Sequence, residues 1–388
     1  MSIDKNEILR LLSVADAEER LDNLSMLVKT QPLAELRPQF ANNHIHTTYS
    51  FSPYTPTAAV WFARAAGLAT AGIMDHDSIG GADEFRRAGK IAGVGTTCGL
   101  ECRVSLKDTP FADRKLNSPD QRGIAYMAVH SVPSSNFDML QAVFEPLRQK
   151  RNARNRKMVA RVNEIVSGAG IVLDFDKDVL PLSMYSKGGS VTERHVLAAL
   201  ANKIIALSGD ADVTEFLRDV LGITPSPKQR EWLSQRDPLC FAYDILGILK
   251  SSLNARTYVD ADDELMSLDE LVRLADKAGA VLCYAYLGDV GDSPTGDKRA
   301  EKFEDDFLCD WLDFITEAGV DGITYMPSRN TPQQLERLMS ECRRRGMTEI
   351  SGEDINQPRQ SFICPKLEEP MFSHLVDQTW RLVDREKQ

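Results

Sequence analysis

Two histidines one residue apart carry the first chemical signal in this chain. In Asn43-His44-Ile45-His46-Thr47-Thr48-Tyr49-Ser50, an extended backbone would point His44 and His46 to the same face, because side chains alternate along a strand. Two imidazoles at one strand end can share a metal ion, and imidazole nitrogen suits zinc, iron and related ions. The plainer reading is a pair of partly exposed loop histidines. Asp75-His76-Asp77 follows the apolar run AGIM. His76 fits a metal or proton-transfer role there, while Asp77 or Ser78 would serve as the cap of a following helix. Glu101 sits in Gly99-Leu100-Glu101-Cys102, inside an otherwise apolar strand. A carboxylate there is costly unless paired or metal-bound, and a solvent-facing place on an edge strand is the alternative. His130 ends IAYMAVH and Asp354 ends TEISGED; each alone could be a satisfied polar residue.

The joint pattern is more telling. Of six histidines in the chain, His44, His46, His76 and His130, together with Glu101 and Asp354, fall at or just beyond predicted strand ends or on one strand. The elements that would position them are short apolar runs at about 42–46, 71–75, 97–104, 125–130, 280–286, 322–326 and 348–351. Amphipathic stretches at 56–66, 82–92, 268–278 and 332–345 lie between them. Such alternation predicts a parallel sheet or a barrel. In a βα barrel the strand ends converge on the face where active sites form. Residues 1–39 read as an N-terminal helical extension, with Pro32 and Pro38 marking its exit. Between about 148 and 265 the strand rhythm fails, which predicts a mostly helical insertion and assigns 40–147 and 266–388 to the barrel. The basic run from Lys150 to Arg161 fits the solvated face of a helix, or a hold on a nucleotide tail.

Composition sets the outer limits. The chain has 388 residues, 43% hydrophobic and 27% charged, ordinary for a globular protein with one large domain and an insertion. A net charge of -11 opposes duplex-DNA binding, which needs a basic face. A small phosphorylated substrate or nucleotide needs only local positive charge. Seven cysteines without a CxxC pair predict reduced thiols. No apolar run approaches the roughly 20 residues of a membrane span, and no secretory segment opens the chain. A cytoplasmic location, away from membranes, is the expectation.

The motifs resemble the polymerase and histidinol phosphatase (PHP) family in its stand-alone metal-dependent phosphoesterase branch. That pattern runs H-x-H-T-x-x-S-D, T-D-H-D, G-x-E, a strand-ending His, A-H-P and G-S-D-x-H. Here the counterparts are HIHTTYSF, MDHDS, GLE, AVHS, AYLG and GEDIN, in the same order over about 40–135 and 268–360. The resemblance implies a distorted seven-stranded (β/α) barrel and divalent ions that activate water against phosphorus. It assigns His44, His46, Glu101 and Asp354 to one ion, and Glu101 and His130 to a second. A remnant of the branch's R-P-H sequence, Arg194 and His195 in the insertion, would contact the substrate phosphate.

Three departures stand against the pattern. Phe51 replaces the S-D aspartate, Tyr286 the A-H-P histidine, and Asn356 the final histidine. The expectation is therefore one or two zinc, manganese or iron ions. His76 or His130 would act as general acid or base, and Tyr286 and Asn356 are possible replacement ligands. The expected reaction is hydrolysis of a phosphomonoester or nucleotide phosphodiester. A catalytically degenerate barrel that binds a metal or ligand is the alternative.

Overall fold

Strand runs buried along nearly their whole length call for a sheet covered on both faces. Residues 68 to 75 are all buried, and so are residues 97 to 104. The computed structural model describes residues 3–209, 211–289 and 302–387. Its strands are β1 (Arg37–Ile45), β2 (Leu68–His76), β3 (Gly95–Ser105), β4 (Ile124–His130), β5 (Met266–Ser267), β6 (Val281–Ala285), β7 (Gly322–Tyr325) and β8 (Thr348–Ser351). They lie in the order β1-β2-β3-β4-β6-β7-β8, with the short β5 paired to β3. This is a nearly closed, barrel-shaped sheet of seven strands wrapped by helices. Closure comes from the segment after β8. Ile355 bridges Ile45 in parallel, His46 N donates to Ile355 O at 2.9 Å, and Ile355 N donates to His44 O at 3.0 Å.

One strand is reversed. β4 is antiparallel to both β3 and β6, whereas the β1–β2, β2–β3, β6–β7 and β7–β8 pairs are parallel. Register places Glu101 beside His76 on one side and Ala128 on the other. His130 pairs with Val281, the first residue of β6. Its strand therefore ends at the opposite rim from β1 and β2.

Helices α1 (Lys5–Leu11) and α2 (Ala17–Thr30) form the N-terminal extension. Leu21, Leu24 and Leu27 are buried in the main core, and buried Arg20 pairs with Glu84. The first strand begins at Arg37 rather than near 42, so part of the expected extension is already barrel. α3 (Pro56–Ala65) starts at a Thr55 cap with proline in its first turn, a conformation its fixed φ favours. α4 (Ala82–Ala92) follows β2; its N-cap is Gly81 and no side chain caps it. Asp77 and Ser78 therefore do not take the capping role expected of them.

α5 is a single helix, Phe137–Val166, that begins against the barrel and ends in a second apolar core. That core joins Val159, Val162 and Val166 to residues of α6 (Glu193–Ser208), α7 (Val213–Asp219), α8 (Pro227–Gln235) and α9 (Phe241–Thr257). The chain returns to the barrel through α10 (Leu268–Ala278), α11 (Leu308–Glu317), α12 (Pro332–Arg345) and α13 (Ser373–Arg385). Ser267 with Glu270, and Thr331 with Gln334, make capping boxes that start α10 and α12, satisfying amide groups that the first turn leaves free. Among the described residues no helix is long and apolar enough to cross a membrane.

Candidate metal centre

The end of β1, the end of β2, the middle of β3 and the closing segment after β8 meet at one cavity. Ligand atoms of His44, His46 and Glu101 all lie within 4.8 Å of one another, and all three residues are buried. His44 Nε2 is 3.7 Å from Glu101 Oε1, and His46 Nε2 is 3.2 Å from Asp354 Oδ1. Close approach of the Asp354 segment depends on Gly352, where a Cβ would lie 2.6 Å from His44 Cβ. His44, His46 and Glu101 thus cluster from distant parts of the sequence, and Asp354 reaches the cluster through His46.

A buried carboxylate behind this set fixes the tautomer of one histidine. Asp75 accepts from Thr47 N and Thr47 Oγ1, and from Ser50 Oγ at 2.6 Å. With its proton committed to Asp75, Ser50 Oγ accepts from His46 Nδ1 at 3.2 Å. His46 then presents an Nε2 lone pair to a carboxylate oxygen, an arrangement that requires a proton or a cation between them. The 3.2 Å separation suits two donors on one ion, since bonds of about 2.0–2.2 Å at near-tetrahedral angles bring donors roughly 3.3 Å apart. The donor set of two imidazoles and two carboxylates fits a divalent ion.

Electrostatics around the ligands is strongly coupled. Burial opposes charge on Glu101, but the facing His44 and His76 outweigh it and hold the carboxyl far below its usual range. Burial likewise opposes charge on His44, yet Glu101 and Asp354 outweigh it and raise its pKa. Asp354 is 39% exposed. Partial withdrawal from solvent works against its ionisation, and the facing His46, with His44 and Arg194 nearby, prevails, lowering its pKa well below the ordinary value. His76 Nδ1 lies 3.0 Å from the second oxygen of Glu101, and burial lowers its pKa despite that partner. Neutral His76 therefore donates from Nδ1 and keeps an Nε2 lone pair.

The remaining candidates are distributed differently. His130 does not line the cavity, because reversal of β4 carries it deeper into the barrel. It is 1% exposed, and among the described residues neither ring nitrogen has a hydrogen-bond partner. Burial, aided by His44, lowers its pKa to about 3. The β4 residue that does line the cavity is Tyr126, with His44, His76, Glu101 and Asp354. Tyr286 lines it too, but its hydroxyl donates to Asp305 Oδ1 at 2.6 Å, and burial with that partner keeps the phenol protonated. As a replacement ligand Tyr286 is thus engaged elsewhere. Asn356 Nδ2 donates to Asp354 Oδ1 at 2.6 Å, which orients the carboxylate.

From the insertion, Arg194 lines the cavity and its charge helps to lower the Asp354 pKa. His195 does not accompany it. Its buried ring accepts from Thr192 N at 2.9 Å, capping α6, and packs edge-on to Phe51 with centroids 4.9 Å apart. Phe51, His195 and Tyr243 enclose a separate cavity of about 180 Å³. The basic run is neither a solvated face nor a nucleotide tether throughout. Buried Arg151 binds Asp77 and Glu193, and buried Arg154 binds Glu193 and Glu264. Sequence reading missed Asp75, Tyr126 and this ionic junction. The period-two pattern shared by Tyr126 and His130 held the clue to the second, once β4 is known to run backwards.

This geometry can be set beside known proteins. A crystal structure of a provisionally assigned metal-dependent phosphoesterase from Bifidobacterium adolescentis superposes with a TM-score of 0.58 at 22% identity, covering 92% of this chain and 98% of that one. A Chromobacterium violaceum amidohydrolase, with bound sulfate and no metal, gives 0.55 at 19% identity over 87% and 96%. The likeness is one of fold. In sequence, 133 residues are 27% identical to a 5'-3' exoribonuclease of Haemophilus influenzae, covering 34% of this chain and 42% of that protein. The chain thus spans less than half the length of that curated relative. No family model matches the chain.

Proposed function

We propose that this protein is a metal-dependent hydrolase of phosphate esters, acting on a phosphomonoester or a nucleotide phosphodiester. The observation that carries the reading is the convergence of His44, His46, Glu101 and Asp354 on one cavity, with Arg194 at its wall. A bound zinc, manganese or iron ion would lower the pKa of water and polarise a phosphoryl oxygen. His44, His46, Glu101 and Asp354 would hold it, and His130 offers two unpartnered nitrogens beneath. Around it, His76 keeps Nδ1 on Glu101 and uses Nε2 to accept a proton from the attacking water. Arg194 neutralises the substrate phosphate.

A larger groove of about 550 Å³ opens beside this cavity, and Arg194, Met326, Asp354 and Asn356 line both. Lys228, Trp232 and Arg359 on its walls suit the remainder of a nucleotide, whose base offers a flat face and whose phosphates carry charge. The exoribonuclease and phosphoesterase names among the similar proteins agree with this reading. The second reading, a metal- or ligand-binding barrel without turnover, draws on Tyr286 and Asn356, whose side chains are committed to Asp305 and Asp354.

The test is to assay protein purified without chelator against aryl phosphates, mononucleotides and short oligonucleotides, with each ion added in turn. Turnover that is abolished in His44→Ala supports the hydrolase. A fully metal-loaded protein that turns over none of them favours the second reading.

A further inference from the structure

Antiparallel β4 has a chemical consequence at the cavity mouth. Directly paired residues of an antiparallel ladder share a face, and the ladder pairs Glu101 with Ala128 and Arg103 with Tyr126. Tyr126 thus stands on the same face as Glu101, one step nearer the mouth. Its ring centroid is 5.8 Å from that of His76, and it lines the cavity together with Arg194.

Most other phenols near this junction have work within the protein. Tyr286 donates to Asp305, Tyr258 donates to Gln121, and Tyr325 donates to Glu349. The Tyr126 side chain makes no hydrogen bond among the described residues, although its backbone N and O both bind Asn117. The Arg194 side chain, in the first turn of α6, likewise makes no hydrogen bond among the described residues. The carboxylates of the cavity each have partners within the protein: Glu101 and Asp354 face histidines, Glu193 pairs with Arg151 and Arg154, and Asp120 accepts from Asn254. Tyr126 and Arg194 thus offer the cavity one donor from the barrel and one from the insertion.

We propose that the Tyr126 hydroxyl and the Arg194 guanidinium together bind the oxygens of a tetrahedral oxyanion, the phosphoryl group of the substrate. This rests on the phosphate-ester reading and adds Tyr126 as the donor that orients the group beside the metal ligands. A hydroxyl donor to a charged oxygen contributes the equivalent of roughly tenfold in affinity.

The experiment is calorimetric titration of inorganic phosphate into manganese-loaded wild type, Tyr126→Phe and Arg194→Gln, with metal content measured on the same samples. The expected result is phosphate affinity about tenfold weaker in Tyr126→Phe, at unchanged metal content, and a larger loss in Arg194→Gln. Equal affinity in wild type and Tyr126→Phe overturns the proposal, as does absence of phosphate binding by the wild type at millimolar concentration. Loss of the metal from Tyr126→Phe also overturns it, because the phenol would then serve the ion. Tyr126-dependent phosphate binding without ester turnover sinks the hydrolase reading and leaves the oxyanion site standing. Turnover of phosphate esters with Tyr126-independent phosphate affinity does the reverse.

Discussion

Glu101 is held between two imidazoles, with Oε1 3.7 Å from His44 Nε2 and Oε2 3.0 Å from His76 Nδ1. One carboxylate therefore faces both His44, a member of the candidate ligand cluster, and His76. Glu101→Gln keeps the shape and removes the charge. The expected outcome is metal affinity weaker by about 100-fold or more, since even outer partners of ligands are worth roughly 10–100-fold. Competition titration against a chromogenic chelator measures it, and near-wild-type affinity would remove Glu101 from the centre.

Asp75 lies one layer behind the ligands, and through Ser50 it sets the tautomer of His46. Asp75→Asn places an amide where three donors now converge. We expect metal affinity to fall by about 10–100-fold while the far-ultraviolet circular dichroism stays that of a folded barrel. Ser50→Ala, which removes only the relay, should fall in the lower part of that range.

His195 supplies a pH-dependent stability contribution that is independent of the metal. Burial, with the nearby Arg151 charge adding to it, lowers its pKa to about 3, so the folded protein holds it neutral and the unfolded chain protonates it near its ordinary value of 6.5. Stability is full above about pH 6.5 and is lost as pH falls towards 3, at on the order of 1.4 kcal/mol per pH unit. Gln at this third helical position can keep the capping box without titrating. His195→Gln should therefore flatten the decline in urea-unfolding free energy between pH 7 and pH 5 by about 2 kcal/mol; parallel declines in the two proteins would refute the assignment.

Glu193 ties the insertion to the barrel through Arg103 of β3, 4.0 Å away. It pairs with Arg151 at 3.0 Å and with Arg154, and Arg151 also holds Asp77, the neighbour of His76. Without Glu193, Arg151 keeps Asp77 and Arg154 keeps Glu264, so the cost lies at the lower end of that for a broken buried pair, about 3 kcal/mol. Glu193→Gln is expected to lower the urea-unfolding free energy by that amount, without changing metal content.

Much of this was legible in the sequence because the signals are local. The spacing of His44 and His46, the apolar runs before Asp75 and around Glu101, and the capping pairs Ser267 with Glu270 and Thr331 with Gln334 each report on a few consecutive residues. The barrel follows from them, whereas the grouping of His44, His46, Glu101 and Asp354 around one ion is what the family resemblance implied. Strand direction is a different kind of fact. Nothing within IAYMAVH says that β4 runs backwards, so His130, expected at the site, lies deeper, and Tyr126, which carried no expectation, lines the cavity. His195 was read by its proximity to Arg194, yet successive helix residues point in different directions, and the two side chains line different cavities. Burial of Arg151 and Arg154 was hidden for a related reason: a basic run does not reveal which of its members meet Glu193 and Glu264 across the fold.

The central claim is that these side chains hold a cation, and metal content measures it most directly. Elemental analysis of protein purified without chelator, alongside His44→Ala and Asp354→Ala, should find one or two divalent ions per wild-type chain and loss of the ion in both variants. A wild-type protein that retains no divalent ion after saturation with zinc, manganese or iron and desalting would contradict the account.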